Sequence, residues 1–235
     1  MSDGTADEGK WATVGRLRKA AEAVERNAAE LYREGLLLRQ HGAFARAAAL
    51  HQISNEECAK VDMIGAHAAS CLMGLPVDEK KFVQALASHK AKNFNNAYFS
   101  AVLDEERAAK ERGDPKAALE AFRLQQANIH REANELKNSS LYVNMRGDDV
   151  QSPLDLVSEE TADEMAALNL YFLDMAGGHV SLLRKLDENV GEWRSAARRI
   201  MSTVLNLKGT KDPLLVMRKL LKELVREMRV RKQGT

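Results

Sequence analysis

The sequence predicts an all-α protein, and three observations carry that prediction. Aromatic residues make up only 5% of the 235 residues, whereas 45% are apolar, so a sizeable core is available with few of the residues that favour sheets. Residues that favour helices (Ala, Leu, Glu, Lys and Arg) are abundant. The four prolines separate long segments of helical periodicity. We expect long helices with short turns, packed as an antiparallel bundle.

The first two helices form a predicted hairpin. Residues 1–10 are polar and acidic and are expected to be a disordered tail, so the first helix should run from about Trp11 to Arg39. Gly42 turns the chain, and a second helix should run from Ala43 to Leu72, with Gly74 as its C-cap. The expected buried face of the second helix consists of Leu50, Ile53, Ser54, Cys58, Val61, Ile64 and Ala68.

The third and fourth helices are predicted on either side of Pro115. Helical periodicity continues from about Asp78 to Glu111, which predicts one long third helix. Asp114 is placed to cap the fourth helix, which begins at Pro115 and should end near Leu136 or Tyr142.

A loop and a fifth helix follow. Val143–Val157 lacks helical periodicity and is predicted to be a loop. The stretch SEETADE, Ser158–Glu164, is typical of a capping-box start with acidic residues in the first turn. The fifth helix should run on to about Leu207, with a bend at Gly177 and Gly178.

The predicted organisation has four parts and an uneven charge. We expect a disordered tail over 1–10, a helical bundle over 11–157, a long additional helix over 158–208 and a basic amphipathic helix over 209–235. The formal net charge is +1, but Lys208–Thr235 holds nine Lys/Arg against three Asp/Glu. The basic helix either is an ordinary solvated helix covering its apolar stripe or docks on nucleic acid or an acidic protein.

Several features favour a cytoplasmic protein without a membrane partner. The acidic N-terminal residues do not match a secretory or transit signal, and no run approaches the roughly 18 apolar residues that span a bilayer. Cys58 and Cys71 lie thirteen residues apart in one predicted helix, which is too far for a disulfide. We expect both to be buried free thiols.

Common catalytic patterns are missing from the sequence. It contains no Glu-x-x-His pair of the kind that di-iron bundles use, no glycine-rich phosphate loop and no Gly-x-Ser-x-Gly elbow. His67 and Cys71 share a helix face, but without a second ligand pair we interpret them as core residues. We therefore expect neither a metal nor a cofactor.

Acid–base chemistry on an RNA phosphodiester remains, and the stretch RLQQANIHRE contains suitable groups for it. Arginine binds phosphate through two donors, and histidine transfers protons near neutral pH. Arg123 and His130 are seven residues apart, so on a helix they point to one face, about 10 Å apart along the axis. They are either a catalytic pair or part of an exposed polar face.

The spacing alone does not decide between these alternatives. With 19 arginines and 6 histidines, roughly 1.5 matches to Arg-x(4–6)-His are expected by chance, and two occur. The other match, Arg46–His51, has an offset of five residues, which turns the side chains about 140° apart on a helix.

Two longer stretches resemble a known family. The segment NAAELYREGLLLRQHGAFARAAALHQISNEECAKVDM, Asn27–Met63, with its Gly turn, Ala-rich helix, Glu56-Glu57 and Lys60, resembles the opening hairpin of AbiV-type abortive-infection proteins of the HEPN superfamily. KNSSLYVN, Lys137–Asn144, resembles a later element of that family, and SHKAK, Ser88–Lys92, lies where the family often has a His/Lys stretch. The resemblance covers roughly 27–153.

The resemblance implies a HEPN helical bundle, often a homodimer, and for many members a metal-independent RNase with an Arg-x(4–6)-His motif. In this interpretation Arg123 stabilises the phosphate, His130 is general base or acid, and Lys92 or Lys137 is an accessory cation. Leu124 departs from the family pattern, in which a polar residue commonly follows the arginine.

A competing alignment puts the motif's counterpart at Lys137 to Asn144, with the histidine replaced. The domain would then be a non-catalytic binder or would use another residue such as His89.

Three further residues near these stretches also allow two interpretations. Glu57 and Lys60 form an ordinary i, i+3 pair or are polar groups held in the cleft. Tyr142 anchors the end of the fourth helix with a buried ring or stacks on a base.

The resulting hypothesis is a phage-defence toxin that cuts or binds RNA and so arrests translation, with a phage or host protein as trigger. The alternative is a non-catalytic dimeric module that binds a phage or host protein.

Overall fold

The part of the chain that the structure describes is largely helical. The computed structural model describes residues 5–146 and 149–204, with side chains described for 14–145 and 149–197. The α-helices found there are α1 (Thr5–Gln40), α2 (Phe44–Leu72), α3 (Glu79–Ala87), α4 (His89–Asn96), α5 (Asp104–Glu111), α6 (Pro115–Leu141), α7 (Pro153–Leu156), α8 (Glu159–Glu188) and α9 (Val190–Val204). A 3-10 helix, Ala97–Phe99, follows α4, and two antiparallel strands, β1 (Asn144–Arg146) and β2 (Asp149–Gln151), follow α6. The all-α prediction is confirmed.

The predicted opening hairpin is present with small changes at its ends. The first helix, α1, begins at Thr5, inside the segment expected to be a disordered tail. The turn after it uses Gly42 at φ 74°, and Gly74 follows α2 at φ 67°. Both angles lie in the left-handed region, which glycine occupies without the steric cost that a Cβ imposes.

The long third helix predicted over 78–111 is wrong, because the chain leaves helical geometry twice within it. Ser88 adopts φ −84° and ψ 115°, and its side chain accepts a hydrogen bond from the backbone N–H of Ala91. A serine that satisfies a free helical N–H in this way starts a new helix, here α4. The second interruption follows the 3-10 helix, where Leu103 is extended at φ −62° and ψ 150° before α5.

The fourth helix agrees with its prediction, and the loop after it does not. Asp114 caps α6 by accepting bonds from the N–H groups of Lys116 and Ala117. The segment predicted as a loop instead holds the β1–β2 hairpin and α7. The reciprocal capping box occurs here, between Ser152 and Asp155.

The fifth helix starts as predicted but ends early. Ser158 accepts a bond from the N–H of Thr161 at 3.2 Å, so it caps α8, although the residue three positions on is Thr161 rather than an acid. The helix assignment continues through Gly177 and Gly178, and the helix breaks at Asn189, between α8 and α9. The bend at the two glycines stays a prediction. The expected basic helix over 209–235 lies outside the described residues.

The chain divides into two compact units. The first comprises the described residues within 1–23, 61–82 and 177–235. Arg18 bonds Asp187 at 2.7 Å and Glu22 at 2.9 Å, and Arg184 bonds Glu22 at 2.7 Å, which ties α1 to α8. The buried apolar side chains of this unit include Val14, Leu17, Val61, Ile64, Val180, Leu183, Leu186 and Trp193.

The second unit comprises 24–60 and 83–176, and it contains the site described below. The first half of α8, as far as Ala176, belongs to this unit. Small side chains let the helices approach closely. Its buried alanines include Ala28, Ala45, Ala47, Ala48, Ala49, Ala59, Ala97, Ala109, Ala118, Ala162 and Ala176.

The structure bears on the predictions for the two cysteines and for membrane-spanning helices. Neither Cys58 nor Cys71 forms a disulfide; Cys58 is buried as predicted, whereas Cys71 is partly exposed, so its predicted burial is wrong. Among the described residues, every helix is too short or too polar to cross a bilayer.

Candidate functional site

A buried carboxylate on α2 is the centre of the candidate site. The side chain of Glu56 is 2% exposed, on a face of α2 that otherwise carries alanines and amides. Three basic side chains surround it: Lys92 Nζ lies 2.8 Å from Oε2, Lys137 Nζ lies 4.0 Å from Oε1, and His89 Nδ1 bonds Oε2. These four residues, the Glu56 cluster, join α2, α4 and α6. With the carboxylate ionised and both lysines protonated, the cluster has a net positive charge.

Asparagine side chains hold α4 against α2. Asn96 Nδ2 donates to the carbonyl of Asn55 at 3.1 Å, and Asn95 Nδ2 donates to the carbonyl of Ala59 at 3.5 Å. Both asparagines are buried. Since α4 begins at His89, this docking brings its first turn to Glu56.

The two lysines and the histidine of the cluster differ in their access to solvent. The side chains of Lys92 and Lys137 are 6% and 16% exposed, whereas that of His89 is 57% exposed. A carboxylate only accepts hydrogen bonds, so the proton of His89 lies on Nδ1 and Nε2 is the nitrogen left for another partner. Glu56 therefore fixes the tautomer and orientation of an exposed imidazole.

His130 of α6 lies beside this cluster. Asn93 follows Lys92 on α4, and its Nδ2 lies 3.3 Å from His130 Nδ1. Because Gln52 donates to Asn93 Oδ1 at 3.4 Å, the amide group faces the imidazole, so Nδ1 of His130 accepts and its proton lies on Nε2. The ring also stands edge-on to Phe94, with centroids 6.1 Å apart. His130 thus offers a hydrogen-bond donor, whereas His89 offers an acceptor.

Arg123, the other half of the predicted pair, is exposed on α6 and makes no ion pair with any residue that the structure describes. It lies about 10 Å along the helix axis from His130. The alternative match, Arg46–His51, is divided between surface and interior, because Arg46 is exposed and His51 is 0% exposed. That division agrees with the predicted angle between them.

Glu57 and Lys60 form the ordinary i, i+3 pair that the sequence allowed. Asn27 Nδ2 also donates to Glu57 at 3.3 Å. The cleft role for this pair stays a prediction, and its neighbour Glu56 is the acid that the basic residues surround.

The segment that follows α6 has mostly exposed side chains. The expectation of a buried Tyr142 ring is wrong: the residue is 60% exposed, because α6 ends at Leu141 and the chain leaves extended. Stacking of this ring on a base stays a prediction. Asn144 begins β1 and pairs with Gln151, whereas Lys137 belongs to the Glu56 cluster.

A cavity of about 350 Å³ lies next to Asn93. Four amide side chains line one part of it, and apolar side chains of α6 and α8 line another, together with the hydroxyl groups of Ser100 and Thr161 and two glutamates. Asn55 Oδ1 and Asn96 Oδ1 are enclosed without a hydrogen-bond partner among the described residues. The amides are Gln52, Asn55, Asn93 and Asn96, and the apolar residues include Ile129, Leu136, Met165, Leu168 and Phe172.

Two other side chains that could be reactive, His67 and Cys58, are buried. His67 is 7% exposed, stacks on Phe82 at 3.9 Å between centroids and bonds Glu79, as a core histidine does. Burial raises the pKa of the Cys58 thiol to about 12, so it stays protonated and unreactive. Within the described ranges, no three or more His, Cys, Asp or Glu residues are grouped so as to hold a metal.

Comparison with known proteins bears on this geometry. A family model described as AbiV, of the HEPN type, matches residues 16–171. The chain belongs to the AbiV family. The match extends beyond both ends of the segment whose resemblance was visible in the sequence, and it includes the Glu56 cluster, Arg123 and His130.

One relative gives a second comparison. The uncharacterized protein y4gJ of Sinorhizobium fredii (strain NBRC 101917 / NGR234) is 31% identical over 115 residues, which are 49% of this chain and 60% of the relative. The chain thus covers about three fifths of that relative's length. No solved structure matches the chain.

Sequence reasoning missed two residues of the site, Glu56 and Asn93. Glu56 was noticed only as half of an acidic pair, although it continues the stripe of Ala45, Ala49 and Gln52 at helical spacing. The available signal was a charged residue on a face of α2 that otherwise carries small or uncharged side chains. Asn93 gave none, because its role depends on where Ser88 starts α4.

Proposed function

We propose that this AbiV-family protein acts in phage defence by cutting RNA without a metal, which arrests translation. The observation that carries the proposal is the assembly by α4 and α6 of one imidazole and two lysines around one buried acid, with a second imidazole, His130, bonded to Asn93 next to Lys92. Family membership supports a role in abortive infection. RNA is the substrate that these groups suit, because they offer cations for a phosphate and imidazoles for proton transfer and hydrogen bonding.

The reaction that these groups fit is attack by a ribose 2′-hydroxyl on the adjacent phosphate. The O2′–P bond forms, the P–O5′ bond breaks, and the products are a 2′,3′-cyclic phosphate and a 5′-hydroxyl. A base must remove the 2′-hydroxyl proton, and donors must bind the charge that develops on the phosphate oxygens.

In this proposal Arg123 and His130 bind the phosphate. Arg123 is exposed and makes no ion pair with the described residues, so its guanidinium is available. His130 presents Nε2–H, a donor, while Asn93 occupies its other nitrogen. The general-base role that the sequence allowed for His130 requires Nε2 without a proton, and the bond from Asn93 opposes that tautomer.

The test is cleavage of total RNA by the purified full chain in EDTA, with and without lysate from phage-infected cells. We expect cleavage by the wild type and a fall of about 10- to 150-fold in His130→Ala and in Arg123→Ala, the effect of losing one hydrogen bond to a charged group. His41→Ala and Arg131→Ala are matched controls, because His41 is exposed in a turn and Arg131 pairs with Glu135 on α6. RNA left intact by the wild type under every condition would remove the enzymatic proposal.

One observation favours a second function, a non-catalytic dimeric module that binds a phage or host protein. Large apolar side chains are concentrated on the β1–β2 hairpin and its flanks: Met145 and Leu154 are 76% and 78% exposed. Such side chains are typical of interaction surfaces. If this function is the right one, Met145→Ser with Leu154→Ser abolishes phage resistance while His130→Ala preserves it.

A further inference from the structure

The Glu56 cluster contains more basic side chains than are needed to hold α4 against α2. Lys92 and Glu56, at 2.8 Å and nearly enclosed, already form a buried ion pair that joins α4 to α2. His89 bonds the same carboxylate oxygen, Oε2, yet its side chain is 57% exposed. An exposed imidazole adds little to a buried ion pair, so its position needs another explanation.

The arrangement of His89 is the reverse of a structural histidine in the same chain. The His67 ring is enclosed and stacked on Phe82, and its acid, Glu79, is 65% exposed. For His89 the acid is enclosed and the ring is open. A buried acid that holds one nitrogen of an exposed imidazole fixes the ring and leaves the other nitrogen for chemistry.

The local structure keeps His89 in this position. It is the first residue of α4, whose start is set by the cap from Ser88, and Asn95 and Asn96 hold the helix on α2. Lys92 and Asn93 lie three and four residues further on, so they share its helix face. About one turn, or roughly 6 Å of rise, separates His89 from Asn93, which contacts His130.

We propose that His89 is a catalytic residue, the general base of the RNA cleavage, and that Glu56 is its positioning residue. The inference rests on the proposed function and assigns the base that it lacks. Nε2 of His89 takes the proton of the 2′-hydroxyl as the O2′–P bond forms. As the P–O5′ bond breaks, solvent water relays that proton from His89 to O5′, so the imidazole returns to its starting form.

The charges of the cluster suit this assignment. Glu56 stabilises the imidazolium that forms on His89, and the ammonium groups of Lys92 and Lys137 favour a phosphate nearby. A neutral partner in place of Glu56 would keep the hydrogen bond and lose this stabilisation.

The experiment compares the turnover number kcat and the Michaelis constant KM of the wild type, His89→Ala and His41→Gln on one RNA in EDTA. We expect kcat to fall on the order of 10²- to 10⁴-fold in His89→Ala, with KM within about threefold, as for loss of a general base. Added imidazole should restore part of the activity of His89→Ala and leave His41→Gln unchanged. Because the side chain is exposed, His89→Ala should melt within a few degrees of the wild type.

The positioning role of Glu56 has its own test. Glu56→Gln should lower kcat, and Glu56→Gln with His89→Ala should be no slower than His89→Ala alone, because the acid acts through the ring. If Glu56→Gln fails to fold, Lys92→Met is added to remove the unpaired ammonium, and the same comparison is made with Lys92→Met present in every variant.

The outcomes separate this inference from the proposed function. Cleavage by the wild type that persists within threefold in His89→Ala overturns the inference and leaves the ribonuclease intact. A rise in KM at constant kcat also overturns it, because His89 would then only bind RNA. Absence of cleavage by the wild type with and without infected-cell lysate overturns both.

Discussion

Two histidines of the second unit, His51 and His89, differ in whether the ring or its hydrogen-bond partner is exposed to solvent. His51 of α2 is 0% exposed, with Nδ1 3.2 Å from Asn169 Oδ1, and burial lowers its pKa. His89 of α4 is 57% exposed, and the acid that it bonds is buried instead. The enclosed ring has no access to a substrate, whereas the open one does. The comparison teaches that a buried acid can fix an exposed imidazole, whereas burial of the imidazole itself closes it to any ligand.

The largest effect is expected when the buried acid loses its charge. Glu56→Gln leaves the ammonium of Lys92, 6% exposed, without a counter-charge, which should lower the free energy of unfolding by about 3–5 kcal/mol. Urea denaturation measures the change. Glu57→Gln is the matched control, since Glu57 is the next residue and pairs with the more exposed Lys60, so it should cost less than about 1 kcal/mol. Equal losses in the two variants would show that the Glu56 cluster is not a buried ion pair.

This difference between adjacent glutamates explains how much of the site could be predicted. Hydrophobic periodicity found one buried face of α2, which includes Cys58, Val61 and Ile64. A second face, with Ala45 and Glu56, is also buried, and periodicity cannot reveal it because its residues are small or polar.

The fold was predictable where local signals and packing agree. Asp114 with Pro115 and the turn at Gly42 located helix ends to within about a residue. The third helix was predicted too long because a serine can either lie inside a helix or start a new one as its N-cap. The sequence does not show which of the two Ser88 does. The hairpin after α6 was missed because three-residue strands are too short to show alternation.

A smaller effect is expected from filling the space beside the enclosed histidine. A Cβ at Gly35 would stand 2.7 Å from Cε1 and 2.8 Å from Nε2 of His51, whose ring cannot move away into solvent. Gly35→Ala should therefore lower the free energy of unfolding by up to about 2 kcal/mol, the overpacking cost less the gain in helix propensity.

The control for that variant is Gly65→Ala on α2. A Cβ at Gly65 meets no atom within 4 Å, so only the propensity gain of up to about 1 kcal/mol remains. Thermal or urea unfolding of both variants measures the contrast. A stabilised Gly35→Ala would mean that the His51 ring has room to shift.

The smallest effect is expected from the pH dependence of the enclosed histidine, and it sharpens the comparison most directly. Burial is the main cause of the lowered pKa of His51, and the bond with Asn169 offsets it in part. The folded state therefore binds a proton less readily than the unfolded chain, so the stability that neutral His51 contributes is present above pH 6.5. It is lost as the pH falls from there towards the folded-state pKa. One proton sets an upper limit of about 1.4 kcal/mol per pH unit on this slope.

Unfolding in urea at pH 7.5, 6.5 and 5.5 measures this pH dependence. The free energy of unfolding should change less with pH in His51→Gln than in the wild type. His41→Gln, which changes an exposed histidine, should keep the wild-type slope. Equal slopes in all three proteins would mean that the His51 ring takes up protons as readily in the folded state as in the unfolded one, which an enclosed ring with an amide as its partner does not do.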